Sequence, residues 1–372
     1  MKNIRLKDHS IYLYDQWNNF RDLTEKYDKI IVLMDPNSKI YCYDEFKMKT
    51  EIKGLDTIVV PDKDNRCRSD VEGGASSGIL RNCLEQYKNL ETCKFIYERL
   101  TELGADRHSL LINLGGGVIC DMGGFCASTF MRGFDFIQFP TTLLAQVDGS
   151  VGGKLGVNFN GYKNLIGIFN NPVGVFIYDQ FLVSLPEVEL RSGFAEIVKH
   201  ALILNYNLWE QIKTMDKLNM DILLPLIEKS IVIKKQIVQT DPGETGKRKI
   251  LNFGHTLGHA LETAFINNNK SIAHGEAIAA GMIMECYLSM AYYNHSPEWM
   301  DDILITFRKF FPKFEIDEDI ESEMLENIKM DKKNRKRKPN FTLMIDIGNV
   351  EYDLEVSETQ IVKSIDYYRS NY

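Results

Sequence analysis

His255 and His259 stand four residues apart in Asn252-Phe253-Gly254-His255-Thr256-Leu257-Gly258-His259, and His274-Gly275-Glu276 follows shortly after. On a helix that spacing puts both imidazoles on one face, the arrangement that chelates zinc. Thr256 stands where a zinc-protease helix carries its glutamate, so hydrolysis of the HExxH type is not supported. Glu196 brings the available donors to one carboxylate and two or three imidazoles, which suits a catalytic divalent ion with an open position. Lys199 lies three residues after Glu196 and shares its helical face. An exposed pair of that kind contributes under about 1 kcal/mol. The flanking Phe194, Ala195, Ile197 and Val198 instead predict a buried helix.

A second group of residues has the chemistry of anion binding. Gly115-Gly116-Gly117 follows an apolar run and opens a helical pattern, so a backbone can approach a phosphate there and offer it helix N–H groups. The spacing is not GxGxxG, and the usual dinucleotide fingerprint is absent. Asp35 and Asn37 follow the first buried run, where such folds place a ribose-binding acid. The stretch from Pro140 to Lys154 mixes hydroxyls, an acid, small residues and a lysine in one irregular segment, and Lys163-Asn164 adds a polar pair. Lys154, Lys199, Lys234 and Arg248 are candidates for one shared anion site. Arg335-Lys336-Arg337-Lys338 reads as an exposed loop.

The elements that must position these residues change character along the chain. Apolar runs at Lys29–Met34, Thr57–Val60, Ser109–Leu114, Phe134–Phe139 and Val173–Tyr178 alternate with helical spacing, as over Lys88–Leu103. That pattern predicts a parallel sheet covered on both faces. From Glu187 to about Lys329 the period is helical, with long segments at Met220–Val238 and Glu276–Tyr293. A small hairpin around Gly348-Asn349 and a last helix capped by Ser357 follow. The Asp62–Asn82 segment, with Gly73-Gly74-Ala75-Ser76-Ser77-Gly78, reads as a flexible surface loop. The expected boundary falls near Asp179, giving domains 1–178 and 179–372.

Composition bounds the rest. The 372 residues are 44% hydrophobic and 26% charged, which excludes a disordered chain, a collagen-like fibre and a small disulfide scaffold. A formal charge of −8 disfavours broad nucleic-acid binding. The cysteines Cys42, Cys67, Cys83, Cys93, Cys120, Cys126 and Cys286 form no CxxC pair and read as reduced thiols. The start MKNIRLKDHS has no apolar signal core, and no run reaches the ~18 apolar residues of a membrane span. A cytoplasmic protein without membrane contact is the expectation.

Five ordered motifs resemble those of the 3-dehydroquinate synthases, a family of the sugar phosphate cyclases. They are LINLGGGVICDMGGFCASTFMRG (Leu111–Gly133), FPTTLLAQVDGSVGGKLGVN (Phe139–Asn158), SGFAEIVKHALI (Ser192–Ile203), LNFGHTLGHALE (Leu251–Glu262) and HGEAIAAGM (His274–Met282). The resemblance implies an α/β, Rossmann-like N-terminal domain that binds NAD. It also implies a mainly α-helical C-terminal domain that binds a divalent metal, Zn²⁺ or Co²⁺, with the substrate between the two. The reaction implied is conversion of 3-deoxy-D-arabino-heptulosonate 7-phosphate to 3-dehydroquinate and phosphate, with NAD recycled, in the shikimate pathway of aromatic amino acid biosynthesis. A homodimer is implied as well.

Matched position by position, the resemblance makes Glu196, His255 and His274 the metal ligands, with His259 near the proton transfers. Arg132, Asp148, Lys154, Asn164, Lys199, Lys234, Arg248, Asn252 and one lysine of Lys332-Lys333 match positions that meet the phosphorylated keto acid substrate. Asp35, Asn37, Glu85, Lys88, Gly116, Gly117, Val118, Asp121, Thr141, Thr142 and Lys163 match the NAD positions. The chain departs from the family at Leu84, where glycine is usual, and at Gly149 and Leu155, where serine and threonine are. Pro242 replaces a glutamate. Cyclases forming 2-deoxy-scyllo-inosose, an epi-valiolone or aminodehydroquinate are the nearest rivals. Metal-dependent glycerol dehydrogenases share the two-domain plan. Lys234, Arg248, Asn252 and the Lys332-Lys333 pair favour a carboxylated substrate over these.

Overall fold

The structure, a computed structural model, describes residues 3–61, 83–160, 162–330 and 339–372. The loop expected over 62–82 lies outside these residues, as do Lys332 and Lys333. The chain divides into two units, Met1–Pro186 and Glu187–Tyr372. This division falls after the expected boundary because the 3₁₀ turn Asp179–Leu182 stays with the first unit. There Phe181 packs edge-on against Tyr178, 5.1 Å between ring centroids, in an aromatic core.

The first unit runs β1 (Asn3–Arg5), β2 (Ser10–Leu13), α1 (Trp17–Thr24), β3 (Ile30–Met34), α2 (Pro36–Tyr41), α3 (Tyr43–Thr50), β4 (Asp56–Val59), α4 (Cys83–Gln86), α5 (Leu90–Glu102), β5 (Leu110–Gly115), α6 (Gly117–Thr129), β6 (Asp135–Pro140), β7 (Lys154–Phe159), β8 (Tyr162–Phe169) and β9 (Gly174–Ile177). Seven of the strands form one sheet in the order β1-β2-β9-β6-β5-β3-β4, parallel except for β1 against β2. Parallel strands must be covered on both faces, and the alternation of side chains supplies two cores. Ile31, Leu33 and Leu111 face α5 and α6, with Ile96, Met122 and Phe125. Val32, Met34, Ile112 and Phe139 face the opposite side, against Trp17, Phe20 and Phe46.

The β7–β8 hairpin lies outside this sheet and packs through β7 on α6. Leu155, at the position where the resemblance has threonine, is a core residue there; a Cβ added at Gly124 would come within 2.5 Å of it. The substitution therefore acts on helix packing. On β8, by contrast, Tyr162, Leu165, Ile168 and Phe169 are exposed.

The second unit runs α7 (Glu187–Leu204), α8 (Tyr206–Lys213), α9 (Met220–Thr240), α10 (His255–Asn267), α11 (His274–Tyr293), α12 (Pro297–Phe310), α13 (Glu318–Met330), the hairpin β10 (Asn340–Asp346) and β11 (Asn349–Glu355), and α14 (Glu358–Asn371). Ser357 caps α14 in a capping box with Gln360. Helix α11 is buried along most of its length, and α10 lies directly against it. Cys42, Cys93, Cys120, Cys126 and Cys286 are buried free thiols. No described helix is long and apolar enough to cross a membrane.

Candidate functional site

Three helices of the second unit carry the histidines and the glutamate. Glu196 is buried on α7, His255 is the first residue of α10, His259 lies one turn on, and His274 opens α11. The ligand atoms of His255, His259 and His274 lie within 4.8 Å of one another. His255 Nε2 is 3.6 Å from Glu196 Oε1. The Nδ1 of His255 is 3.1 Å from the carbonyl of Phe253, which can only accept, so in the neutral ring Nδ1 carries the proton and Nε2 the lone pair. Glu262 is 3.2 Å from His274 Nδ1 and assigns that ring the same tautomer. A carboxylate behind a ligating imidazole orients it and raises its basicity.

One buried cation of this unit pairs with Glu196, and two more lie on elements packed against its helix. Lys199, almost fully buried, is ion-paired with Glu196. Lys234 is buried on α9, one turn after Ser230, whose hydroxyl meets His200 Nδ1 at 2.7 Å and ties α9 to α7. Arg248 is buried in the 3₁₀ turn Lys247–Asn252, which packs on both α7 and α9. The structure thus places Lys199, Lys234 and Arg248 on three mutually packed elements. Asn252 donates to Glu244 at 3.4 Å, a carboxylate the sequence reading passed over.

Asp241 shapes the Arg248 turn by accepting from the backbone N–H groups of Thr245 (3.1 Å), Gly246 (2.7 Å) and Arg248 (3.0 Å). Burial alone would raise its pKa, but these donors outweigh burial and hold the carboxyl below the usual aspartate range. A group whose pKa is depressed by folding contributes stability above its unfolded value, about 3.9, and loses it as pH falls through the folded value. Melting followed from pH 7 to pH 3 is therefore expected to fall more steeply in the parent than in Asp241→Asn. Equal slopes would show that Asp241 is not a determinant of acid stability.

In the first unit, β5 delivers Gly115 into a turn without side chains. A Cβ at Gly115 would lie 2.6 Å from that of Ile119, and one at Gly116 would lie 3.1 Å from Thr142. Beside Gly117 there is open space, and α6 has neither a side-chain cap nor an acid in its first turn. Its leading N–H groups and positive dipole end suit an anion. Thr141 is tied into this turn through its N–H to Gly115 O, 3.0 Å, and Val118 is half-buried. Asp35 caps α2, accepting from the Ser38 N–H (2.9 Å) and hydroxyl (2.7 Å); burial pushes its carboxyl up against the pull of those bonds. The buried Asn37 Oδ1 has no hydrogen-bond partner among the described residues.

Lys88 joins three segments, donating to Asp121 (2.6 Å) and Asn164 (2.7 Å), while Asn158 meets Glu85 at 2.9 Å. Asn164, expected at the substrate, is therefore brought to Lys88 and Asp121, and its backbone is left-handed. Lys163 and Asp148 are half-buried, and Lys154 is exposed at the start of β7. Arg132 stands apart. It lies beyond the carboxyl end of α6, and at about 1.5 Å per residue the helix carries it roughly 20 Å from the glycine turn. Met131 and Arg132 are both left-handed, and Arg107 Nε bonds Met131 O at 3.0 Å.

Residues 79–192 match the family model "3-dehydroquinate synthase N-terminal", and residues 193–334 match "3-dehydroquinate synthase C-terminal". The 3-dehydroquinate synthase of Parabacteroides distasonis is 36% identical over 349 residues, 93% of each chain. The chain belongs to the 3-dehydroquinate synthase family. Its activity is accordingly that of a 3-dehydroquinate synthase, a phosphate-eliminating lyase. Solved structures add the fold. A 2-deoxy-scyllo-inosose synthase complexed with carbaglucose-6-phosphate, NAD⁺ and Co²⁺ superposes with TM-score 0.77 at 23% identity, covering 99% of both chains. The 2-epi-5-epi-valiolone synthase of Streptomyces hygroscopicus with NAD⁺ and Zn²⁺ bound gives 0.76 at 19%, covering 99% of this chain and 98% of that one.

Proposed function

We propose that Glu196, His255 and His274 hold a divalent ion, zinc or cobalt, and that the glycine turn with Asp35 and Asn37 holds NAD. The observation that carries this reading is the cluster of three imidazoles, with Nε2 lone pairs on His255 and His274, against a buried carboxylate. Imidazole nitrogen with one carboxylate oxygen suits a borderline divalent ion. The bare turn before α6 and the unpartnered Asn37 Oδ1 suit a dinucleotide that brings phosphates and a hydrogen-bond donor. When bound, NAD supplies reversible hydride acceptance and the metal supplies Lewis acidity toward substrate hydroxyls.

The chain's own residues do the rest. Arg248 presents a fork to a planar carboxylate or phosphate, and Lys199 and Lys234 act as point charges for the remaining anionic oxygens. Asn252, held by Glu244, orients a hydroxyl. His259, one turn from His255, moves a proton near neutral pH. In the first unit Asp148 and Lys154 are the substrate positions, and the Lys88 network keeps α6 in register with the NAD turn. The protein works in the cytoplasm as a homodimer. The exposed β8 edge and the position of Arg132 at the far end of α6 support the dimer.

The test is turnover of 3-deoxy-D-arabino-heptulosonate 7-phosphate with catalytic NAD and Zn²⁺, following phosphate and NADH together. Phosphate release with 3-dehydroquinate and no net NADH is expected. Net NADH from glycerol, or turnover confined to sedoheptulose 7-phosphate, overturns the reading.

A further inference from the structure

Glu285 is a lone acid in the apolar run Met282-Ile283-Met284-Glu285-Cys286, and its side chain is fully buried on α11. A buried carboxylate is costly unless donors surround it. Its Oε2 accepts from the N–H of Gly254 at 2.6 Å, and its Oε1 faces that of Leu257 at 3.3 Å. These are the N-cap and third residues of α10, a helix that has neither a capping side chain of its own nor an acid in its first turn. The cap can only be glycine. Gly254 has φ +78°, and a Cβ there would lie 2.4 Å from Met282 Cγ. Gly281 is bound in the same way, since its Cβ would meet Gly254 O at 2.1 Å. Helices α10 and α11 thus touch backbone to backbone, and α11 caps its neighbour.

We propose that Glu285 is a positioning residue for the metal centre: from α11 it fastens the first turn of α10 and so fixes His255 and His259 against His274. This rests on the reading of these histidines as the metal centre. His255 is the first residue after the cap, so fraying of that turn would displace it before any other residue of the centre. At the other end of the pair, Glu262 of α10 holds His274 of α11. Two carboxylates therefore fix the axial register of two helices that carry three imidazoles. A metal–nitrogen bond near 2.0–2.1 Å tolerates little axial slide of one helix past the other.

The experiment compares the parent with Glu285→Gln in three measurements. Zinc affinity is read by chelator competition, and the visible spectrum is read with Co²⁺. Amide exchange is read in the metal-free parent. The variant is expected to keep its far-ultraviolet circular dichroism and to bind zinc at least about tenfold more weakly, with an altered Co²⁺ spectrum. In the metal-free parent the Gly254 and Leu257 amides are expected to be as protected as the interior of α10. A variant that melts lower yet keeps the parental zinc affinity and Co²⁺ spectrum makes Glu285 a stability residue only and overturns the proposal. Rapid exchange of those two amides overturns it too, even where the variant does not fold. A parent that holds no zinc, or holds it equally after His255→Ala, removes the metal reading itself; intact parental binding with an unchanged variant removes this proposal alone.

Discussion

The His255→Ala variant is expected to fold, to lose its zinc and to lose roughly 10³-fold or more in phosphate release, about 4 kcal/mol at 1.36 kcal/mol per decade. Folding should survive because Glu285 caps α10 through backbone N–H groups that an alanine keeps, although the His255 side chain is itself mostly buried. Zinc should be lost because the carboxylate of Glu196 and one remaining ligand imidazole leave two protein ligands where a catalytic site uses three. Glu262→Gln supplies the graded control. It removes the charge behind His274 without removing a ligand, and a 10–100-fold weaker zinc affinity is expected, with activity recovered at saturating metal. Metal analysis after exhaustive dialysis, circular dichroism and single-turnover phosphate release measure all three. Stoichiometric zinc in His255→Ala would show that the ion is not held by His255.

What the sequence revealed was the part governed by local spacing. The apolar runs of β3, β5 and β6 are buried on both faces, so they stand out without alternation. The i,i+4 histidines announce a shared face, and the Ser357 cap is a local signal. What escaped depends on partners far along the chain. The stretch from Pro140 to Lys154 looked uniformly irregular, yet it ends β6, forms a π-helical turn at Ala145–Gly149 and starts β7. Leu155 stands where threonine is usual, and only its packing on Gly124 shows it to be core. Glu244, Glu262 and Glu285 gave no spacing signal, because each meets its partner on another turn or helix. A single charged residue within an apolar helical run, as at Glu285, is the one trace of this in the sequence.

Lys88→Met is the largest expected effect on stability. Burial pulls the Lys88 ammonium down, but the Asp121 and Glu85 carboxylates outweigh it and hold it above the usual lysine range; burial pushes the Asp121 carboxyl up against the pull of Lys88, so this acid is held ionised by the lysine. The side chain is 5% exposed and that of Asp121 20%, so water screens the pair poorly. Methionine would leave Asp121 a partly buried charge without the Lys88 ammonium and would remove the lysine's bond to Asn164. Breaking such a pair from one side costs about 3–5 kcal/mol, whereas replacing both charges with apolar groups is often neutral. The single variant should therefore lower the melting temperature of the first unit by about 10 °C. The double variant Lys88→Met, Asp121→Leu should regain most of that loss. Calorimetry on the parent, both single variants and the double closes a mutant cycle. A double variant as unstable as Lys88→Met would mean that packing of the lysine stem, rather than the uncompensated carboxylate, sets the cost. A single variant melting with the parent would mean that water reaches Asp121, and that the pair does not hold α6 in place below the glycine turn.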